Sequence, residues 1–177
     1  HKDPIKIQQL LASYPITLLQ GTPSFWSMLH YSDWGGKKDL VALCGGEPLT
    51  RQIATHILPN VLALWNMYGP TEATIWCALK QVQAEDPITV GRPIHGLEMW
   101  VVDAEMRPLP AGVKGELYIS GIGLADGYLN REALTKERFV AYKKAWGNRA
   151  YRTGDVACMT DAGEFIILGR VDNQVKL

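Results

Sequence analysis

The chain has 177 residues, enough for one sizeable core or two small lobes. It is 47% hydrophobic and 20% charged, which describes a globular protein rather than a disordered one. Eighteen Lys and Arg balance 18 Asp and Glu without any basic block, so no electrostatic footprint for nucleic acid or an anionic membrane is present. No apolar run approaches a membrane span, and His1-Lys2-Asp3-Pro4 is not a signal peptide. Cys44, Cys77 and Cys158 are odd in number and widely spaced, which argues against a disulfide framework or zinc site and for buried thiols in a cytoplasmic protein.

In chain order, helix and strand signals alternate first. Ile7, Leu10, Leu11 and Tyr14 fall at helical spacing and Pro15 stops that helix. Ile16 to Leu19 reads as a strand, Pro23 to Leu29 as a helix, and Leu40 to Cys44 as a second strand. After the turn Gly45-Gly46-Glu47-Pro48, a helix is expected over about 50–58, then the apolar run Val61 to Trp65 as a third strand. This rhythm predicts a parallel sheet with its functional loops at the carboxyl ends of strands, near Gln20, Cys44 and Met67.

The third strand delivers Asn66-Met67-Tyr68-Gly69-Pro70-Thr71-Glu72. Pro70 stiffens this loop, and Gly69 can take conformations that a Cβ forbids. An amide (Asn66), an aromatic ring (Tyr68), a hydroxyl (Thr71) and a carboxylate (Glu72) together suit a nucleotide, offering stacking for a base and a hard oxygen ligand for Mg²⁺.

After about Val82 the rhythm changes to short strands punctuated by Gly and Pro: Glu98 to Val102, Gly115 to Ser120, Ala157 to Met159 and Glu164 to Leu168, with a hairpin turn at Asp161-Ala162-Gly163 and a helical turn or two within 130–139. The fold class expected is therefore α/β over 1–82, then a small, mostly antiparallel, β-barrel-like subdomain over 83–168, with a polar exit at 169–177. The glycines of Gly115-Glu116-Leu117-Tyr118-Ile119-Ser120-Gly121-Ile122-Gly123 lack a following helix and read as structural. In Tyr151-Arg152-Thr153-Gly154-Asp155, Asp155 follows a turn glycine at the start of a strand. Its carboxylate can accept both hydroxyls of a ribose.

NMYGPTE, GELYISGIGLADGYL, YRTGD and GRVDNQVK stand in the order found in adenylate-forming ligases. With Gly45-Gly46-Glu47 upstream, the whole chain closely resembles adenylation domains of nonribosomal peptide synthetases. The resemblance implies part of a large N-terminal domain that uses ATP and Mg²⁺ to convert an amino acid to an aminoacyl adenylate. The acyl group then passes to the phosphopantetheine thiol of a carrier protein, with carrier and condensation domains as partners. It implies that Tyr68 packs on the adenine, Gly46 and Glu47 wall it, Thr71 contacts the α-phosphate and Glu72 binds Mg²⁺. Asp155 holds the ribose with Arg170 nearby, Ile167 lies under the sugar, and Asp172 is the hinge to a C-terminal domain. Asn66 and Gly69 belong to the same nucleotide loop. The family's side-chain pocket maps to Gln20, Ala42, Cys44, Met67, Ile75 and Trp76, whose uncharged lining implies glycine or another small neutral substrate.

The family's glycine-rich phosphate loop and distal catalytic lysine have no counterpart here. The chain is therefore expected to be an excised part, inactive by itself, and Lys176 is not that lysine. Asp126 stands where the family usually has arginine, with a local folding effect expected. Two other readings fit parts of these motifs: an acyl- or aryl-CoA ligase of the same superfamily, and a non-catalytic nucleotide-binding module.

Overall fold

The computed structural model describes residues 3–171 and divides them into two compact units. The first comprises residues through Met67 together with Lys80–Ile88; the second comprises Tyr68–Leu79 and the chain from Thr89 onward. Asp172, the expected hinge, lies outside the described residues.

In the first unit, helix α1 (Pro4–Ser13) is capped by the Asp3 carboxylate, which accepts from the Ile5 and Lys6 N–H groups at 3.0 and 3.3 Å. It stops where Tyr14 must become extended ahead of Pro15. Strand β1 (Leu18–Gly21), helix α2 (Pro23–Tyr31), strand β2 (Lys37–Gly45), helix α3 (Arg51–Ile57) and strand β3 (Val61–Tyr68) follow. Thr22 and Thr50 cap α2 and α3 through their hydroxyls. The pairs β1–β2 and β2–β3 are parallel, as the alternation of helix and strand requires. Trp26, Leu29, Leu40, Ala42, Cys44, Ala54 and Leu64 form the centre of its core. Trp26 also donates its indole N–H to the Leu43 carbonyl at 3.3 Å.

In the second unit, Ala78 and Leu79, the first residues of strand β4 (Ala78–Gln81), pair antiparallel with β5 (Arg92–Pro93). Strands β6 (Leu97–Val102), β7 (Gly115–Gly121), β9 (Arg149–Met159) and β10 (Phe165–Arg170) build an antiparallel sheet in the order β10-β9-β7-β6. A short helix α4 (Glu132–Arg138) leads into β8 (Phe139–Ala141), which also pairs with β9. The turn between β9 and β10 is the expected hairpin, with Gly163 at φ +73.

The boundary expected at 82/83 differs from the division of the compact units. The chain after Tyr68 turns back so that Cys77 N–H donates to the Tyr68 carbonyl at 2.8 Å. Ala73, Cys77 and Ala78 then pack with Met99, Leu117, Ile119 and Phe165. β9 also runs 11 residues, where 157–159 alone reads as strand. Gly154, at φ +75, interrupts the sequence pattern without ending the pairing. Among the described residues, no helix is long and apolar enough to cross a membrane.

Candidate functional site

β3 does not end at Trp65: it runs through Asn66 and Met67 to Tyr68, so the motif starts in strand and turns only at Gly69. The reason for glycine there is proximity rather than backbone sign. A Cβ on Gly69 would sit 2.2 Å from the Ile75 carbonyl oxygen and 2.8 Å from the Cys77 nitrogen. Thr71–Ala73 form a short 3-10 turn, and Thr74 and Ile75 then take positive φ of 57° and 72°. Thr74 ties the turn to the Gly123 carbonyl through its hydroxyl at 2.6 Å. Thr71 is exposed and Glu72 half-buried.

Tyr68 projects from the strand end to donate its hydroxyl to Asp155 Oδ2. Asp155 is 3% exposed, and its second oxygen, Oδ1, accepts from the Arg170 guanidinium at 3.1 Å. Arg170 faces Asp155 across the β9–β10 ladder, so sheet register makes this pair. Thr153 orders the neighbourhood. Its hydroxyl donates to the Leu117 carbonyl at 2.7 Å and accepts from the Asp155 N–H at 2.9 Å. Gly154 lets the guanidinium approach, since a Cβ there would lie 2.8 Å from Arg170 Nη2. Burial, then the Asp155 charge, holds the Tyr68 phenol well above its ordinary pKa, so it remains a neutral donor. Each Asp155 oxygen thus already holds one protein donor and keeps a second lone pair for another.

Glu72 is held by tyrosines of two distant motifs, GELYISGIGLADGYL and YRTGD. Tyr128 donates its hydroxyl to Glu72 Oε1, and the Tyr151 hydroxyl lies 3.5 Å from that of Tyr128. Burial, then the bonded Glu72 carboxylate, raises the Tyr128 pKa. Tyr128 is 56 positions from Glu72, and Tyr151 and Thr153 lie inside YRTGD. Only pairing across the unit brings them to these carboxylates. Ile167 packs against the core cluster that includes Tyr68. The Asp126 side chain is exposed, while its carbonyl accepts from Arg149 at 2.7 Å.

Tyr68, Gly69, Thr71, Glu72, Ile75, Trp76, Asp155, Ile167 and Arg170 all belong to the second unit; Gln20, Ala42, Cys44, Gly46, Glu47, Asn66 and Met67 belong to the first. There, Gln20 pairs with Leu43, Cys44 with Asn66, and Gly45 with Met67. These pairings bring the strand ends into one register. Glu47 accepts from the Ser24 N–H at 3.1 Å and from its hydroxyl, which holds the carboxylate at the start of α2. Gly46 takes φ +87, which a side chain would strain. Ala42 and Cys44 are fully buried in the core, and Ile75 is exposed.

Burial, then the Glu47 charge, pushes the Cys44 thiol up to about 12. At mildly alkaline pH, about one Cys44 in ten thousand is then thiolate, the only form that alkylates. Cys158, half-buried rather than buried as the sequence suggested, is expected to react with iodoacetamide long before Cys44. Peptide mapping after timed alkylation checks this, and comparable rates would contradict it.

The AMP-binding enzyme family matches residues 1–129. The PKS-NRPS hybrid synthetase acdB of Aspergillus candidus is 40% identical over 177 residues, covering 99% of this chain and 7% of that protein. Syringomycin synthase SyrB1 of Pseudomonas syringae pv. syringae is 40% identical over 188 residues, covering 99% of this chain and 30% of its own length. Among solved structures, a holo four-domain nonribosomal peptide synthetase bound to AMP and glycine superposes with a TM-score of 0.93 at 40% identity, covering 99% of this chain and 14% of that one. An NRPS protein containing adenylation and PCP domains, bound to a vinylsulfonamide inhibitor, gives 0.87 at 33% identity, covering 99% and 32%. The chain spans a minor part of each of these relatives. With four ordered motifs, an α/β unit, an antiparallel unit and the Tyr68–Asp155–Arg170 cluster, the chain belongs to the AMP-binding enzyme family, as an adenylation-domain segment of the nonribosomal peptide synthetase type.

Proposed function

We propose that this chain forms part of an enzyme that activates an amino acid with ATP and passes the acyl group to a carrier-protein phosphopantetheine thiol. The observation that carries the reading is the buried Asp155, braced by Tyr68 and Arg170 in the same unit that presents Glu72 on the following turn. Asp155 accepts the ribose hydroxyls with its remaining lone pairs, while the Tyr68 ring packs on the base and Ile167 supports the sugar. Thr71, exposed beside Glu72, reaches the α-phosphate. For Gly46, Glu47 and Asn66, the role beside the adenine rests on the motif resemblance.

In the first half-reaction a carboxylate oxygen of the amino acid bonds to the α-phosphorus, the bond to the bridging α–β oxygen breaks, and pyrophosphate departs. The protein positions these two reactants and supplies donors for charge developing on the phosphoryl oxygens. In the second, the thiol gives up its proton, its sulfur bonds to the acyl carbon, the bond from that carbon to the phosphate oxygen breaks, and AMP leaves with the electron pair.

A single carboxylate suits Mg²⁺ that arrives on phosphate, and no group of three or more His, Cys, Asp or Glu among the described residues forms a dedicated cage. Glu72 would hold that ion, which neutralises phosphate charge when bound.

The substrate is proposed to be glycine or another small neutral amino acid. The residues mapped to the side-chain pocket (Gln20, Ala42, Cys44, Met67, Ile75, Trp76) carry no charge, and the 0.93 TM-score neighbour is described with glycine. Carrier and condensation domains are the proposed partners, in the cytoplasm. Pyrophosphate exchange across the twenty amino acids, using the full-length protein that carries this chain, is the test. Preference for small neutral substrates is expected. Preference for an aromatic or charged one overturns the pocket reading, and activity only with a fatty or aryl acid and coenzyme A would favour the CoA-ligase alternative.

A further inference from the structure

We propose that Tyr128 is a positioning residue for Glu72, holding its carboxylate in place for a metal–nucleotide complex. This rests on the reading of Glu72 as the metal ligand. One loop grips Glu72 at two points. Ala125 N–H donates to the Glu72 main-chain carbonyl at 2.8 Å, and the Tyr128 hydroxyl donates to Oε1 of its side chain. A charged acceptor makes the second bond a strong one. The Tyr151 hydroxyl stands beside the same carboxylate and the Tyr128 hydroxyl, so the carboxylate need not be ordered when the ion arrives.

The grip is itself rigid. The Tyr128 N–H donates to Thr135 Oγ1 at 2.9 Å. Gly127, at φ +151, lies so close to α4 that a Cβ would stand 2.4 Å from Thr135 Cγ2. Arg149 forks onto the carbonyls of Ala125 and Asp126 at 2.9 and 2.7 Å while its guanidinium carbon lies 4.5 Å from the Phe139 ring centroid. Phe139 in turn packs against the rings of both Tyr128 and Tyr151. A tyrosine kept only for packing would need neither the aimed hydroxyl nor the second hold on the Glu72 backbone.

The test is Mn²⁺ affinity, read by electron paramagnetic resonance with a non-hydrolysable ATP analogue, on the full-length protein. Wild type, Tyr128→Phe, Glu72→Gln and the double variant are compared. Tyr128→Phe is expected to weaken Mn²⁺ binding about tenfold, the usual loss when a ligand's supporting partner is removed. The double variant should match Glu72→Gln alone, because the hydroxyl acts through that carboxylate. If Glu72→Gln weakens binding while Tyr128→Phe stays within about twofold of wild type, the positioning role is wrong and the Glu72 reading stands. If Glu72→Gln leaves affinity unchanged, the metal reading itself falls, and this proposal with it. Additive losses in the double variant would also overturn the proposal. Should Tyr128→Phe not fold, Arg149→Lys keeps the charge but loses the fork on the loop, and a loss of about threefold is expected; no loss overturns the clamp.

Discussion

Replacing Asp155 with alanine is expected to lower kcat/KM for ATP about a hundredfold in the full-length protein, mainly through KM. Two hydroxyl contacts to a charged acceptor are worth roughly 3 kcal/mol together. The same change strips Arg170 of an ion-pair partner and the Tyr68 hydroxyl of its acceptor inside a site where Asp155 is 3% exposed. A stability loss of about 3 kcal/mol therefore accompanies the kinetic one. Asp155→Asn separates the two effects. It keeps the side-chain shape and an acceptor for Tyr68, so more of the stability should return than of the ATP affinity. Exchange kinetics with ATP varied, beside denaturant unfolding, measure both. A folded Asp155→Ala protein whose kcat/KM stays within about threefold of wild type would remove Asp155 from the nucleotide site.

Gly69→Ala is expected to destabilise the protein by about 3 kcal/mol. The new methyl would meet the Ile75 carbonyl oxygen at 2.2 Å and the Cys77 nitrogen at 2.8 Å. Both are main-chain atoms, so no side chain can rotate aside. Relief requires opening the turn at the Tyr68 carbonyl, which holds Cys77 N–H at 2.8 Å, and that displaces Glu72 as well. Urea unfolding of the variant should therefore shift together with ATP-dependent exchange. Gly35→Ala is the control: nothing lies within 4 Å of a Cβ there, and a change within about 0.5 kcal/mol is expected. Equal effects at the two positions would show that proximity is not what Gly69 serves.

The local rules proved sound where one stretch of chain carries its own instructions. Asp3-Pro4, Thr22-Pro23 and Thr50 begin α1, α2 and α3, as caps accept the first free N–H groups. The hairpin at 161–163 follows from its glycine. Local rules failed where pairing outweighs propensity. β9 continues through Gly154 because β7 and β10 lie on either side of it, and a strand flanked twice tolerates a residue that would end an isolated one. β4, β5 and β8 are too short, at two to four residues, to show a period of their own.

The amino-acid sequence by itself determined the alternation of helix and strand, the family, and the identity of the charged groups, Glu72, Asp155 and Arg170, that the chemistry would use. Those depend on residue type and order, which folding does not alter. Only the tertiary structure decided which neighbours hold them. Tyr68 reaches Asp155 across 87 positions and Tyr128 reaches Glu72 across 56. Arg170 meets Asp155 because a hairpin register places them opposite each other. Such contacts are set by strand pairing and packing among distant segments, and a one-dimensional pattern carries no record of which distant hydroxyl will lie within hydrogen-bonding reach of a carboxylate.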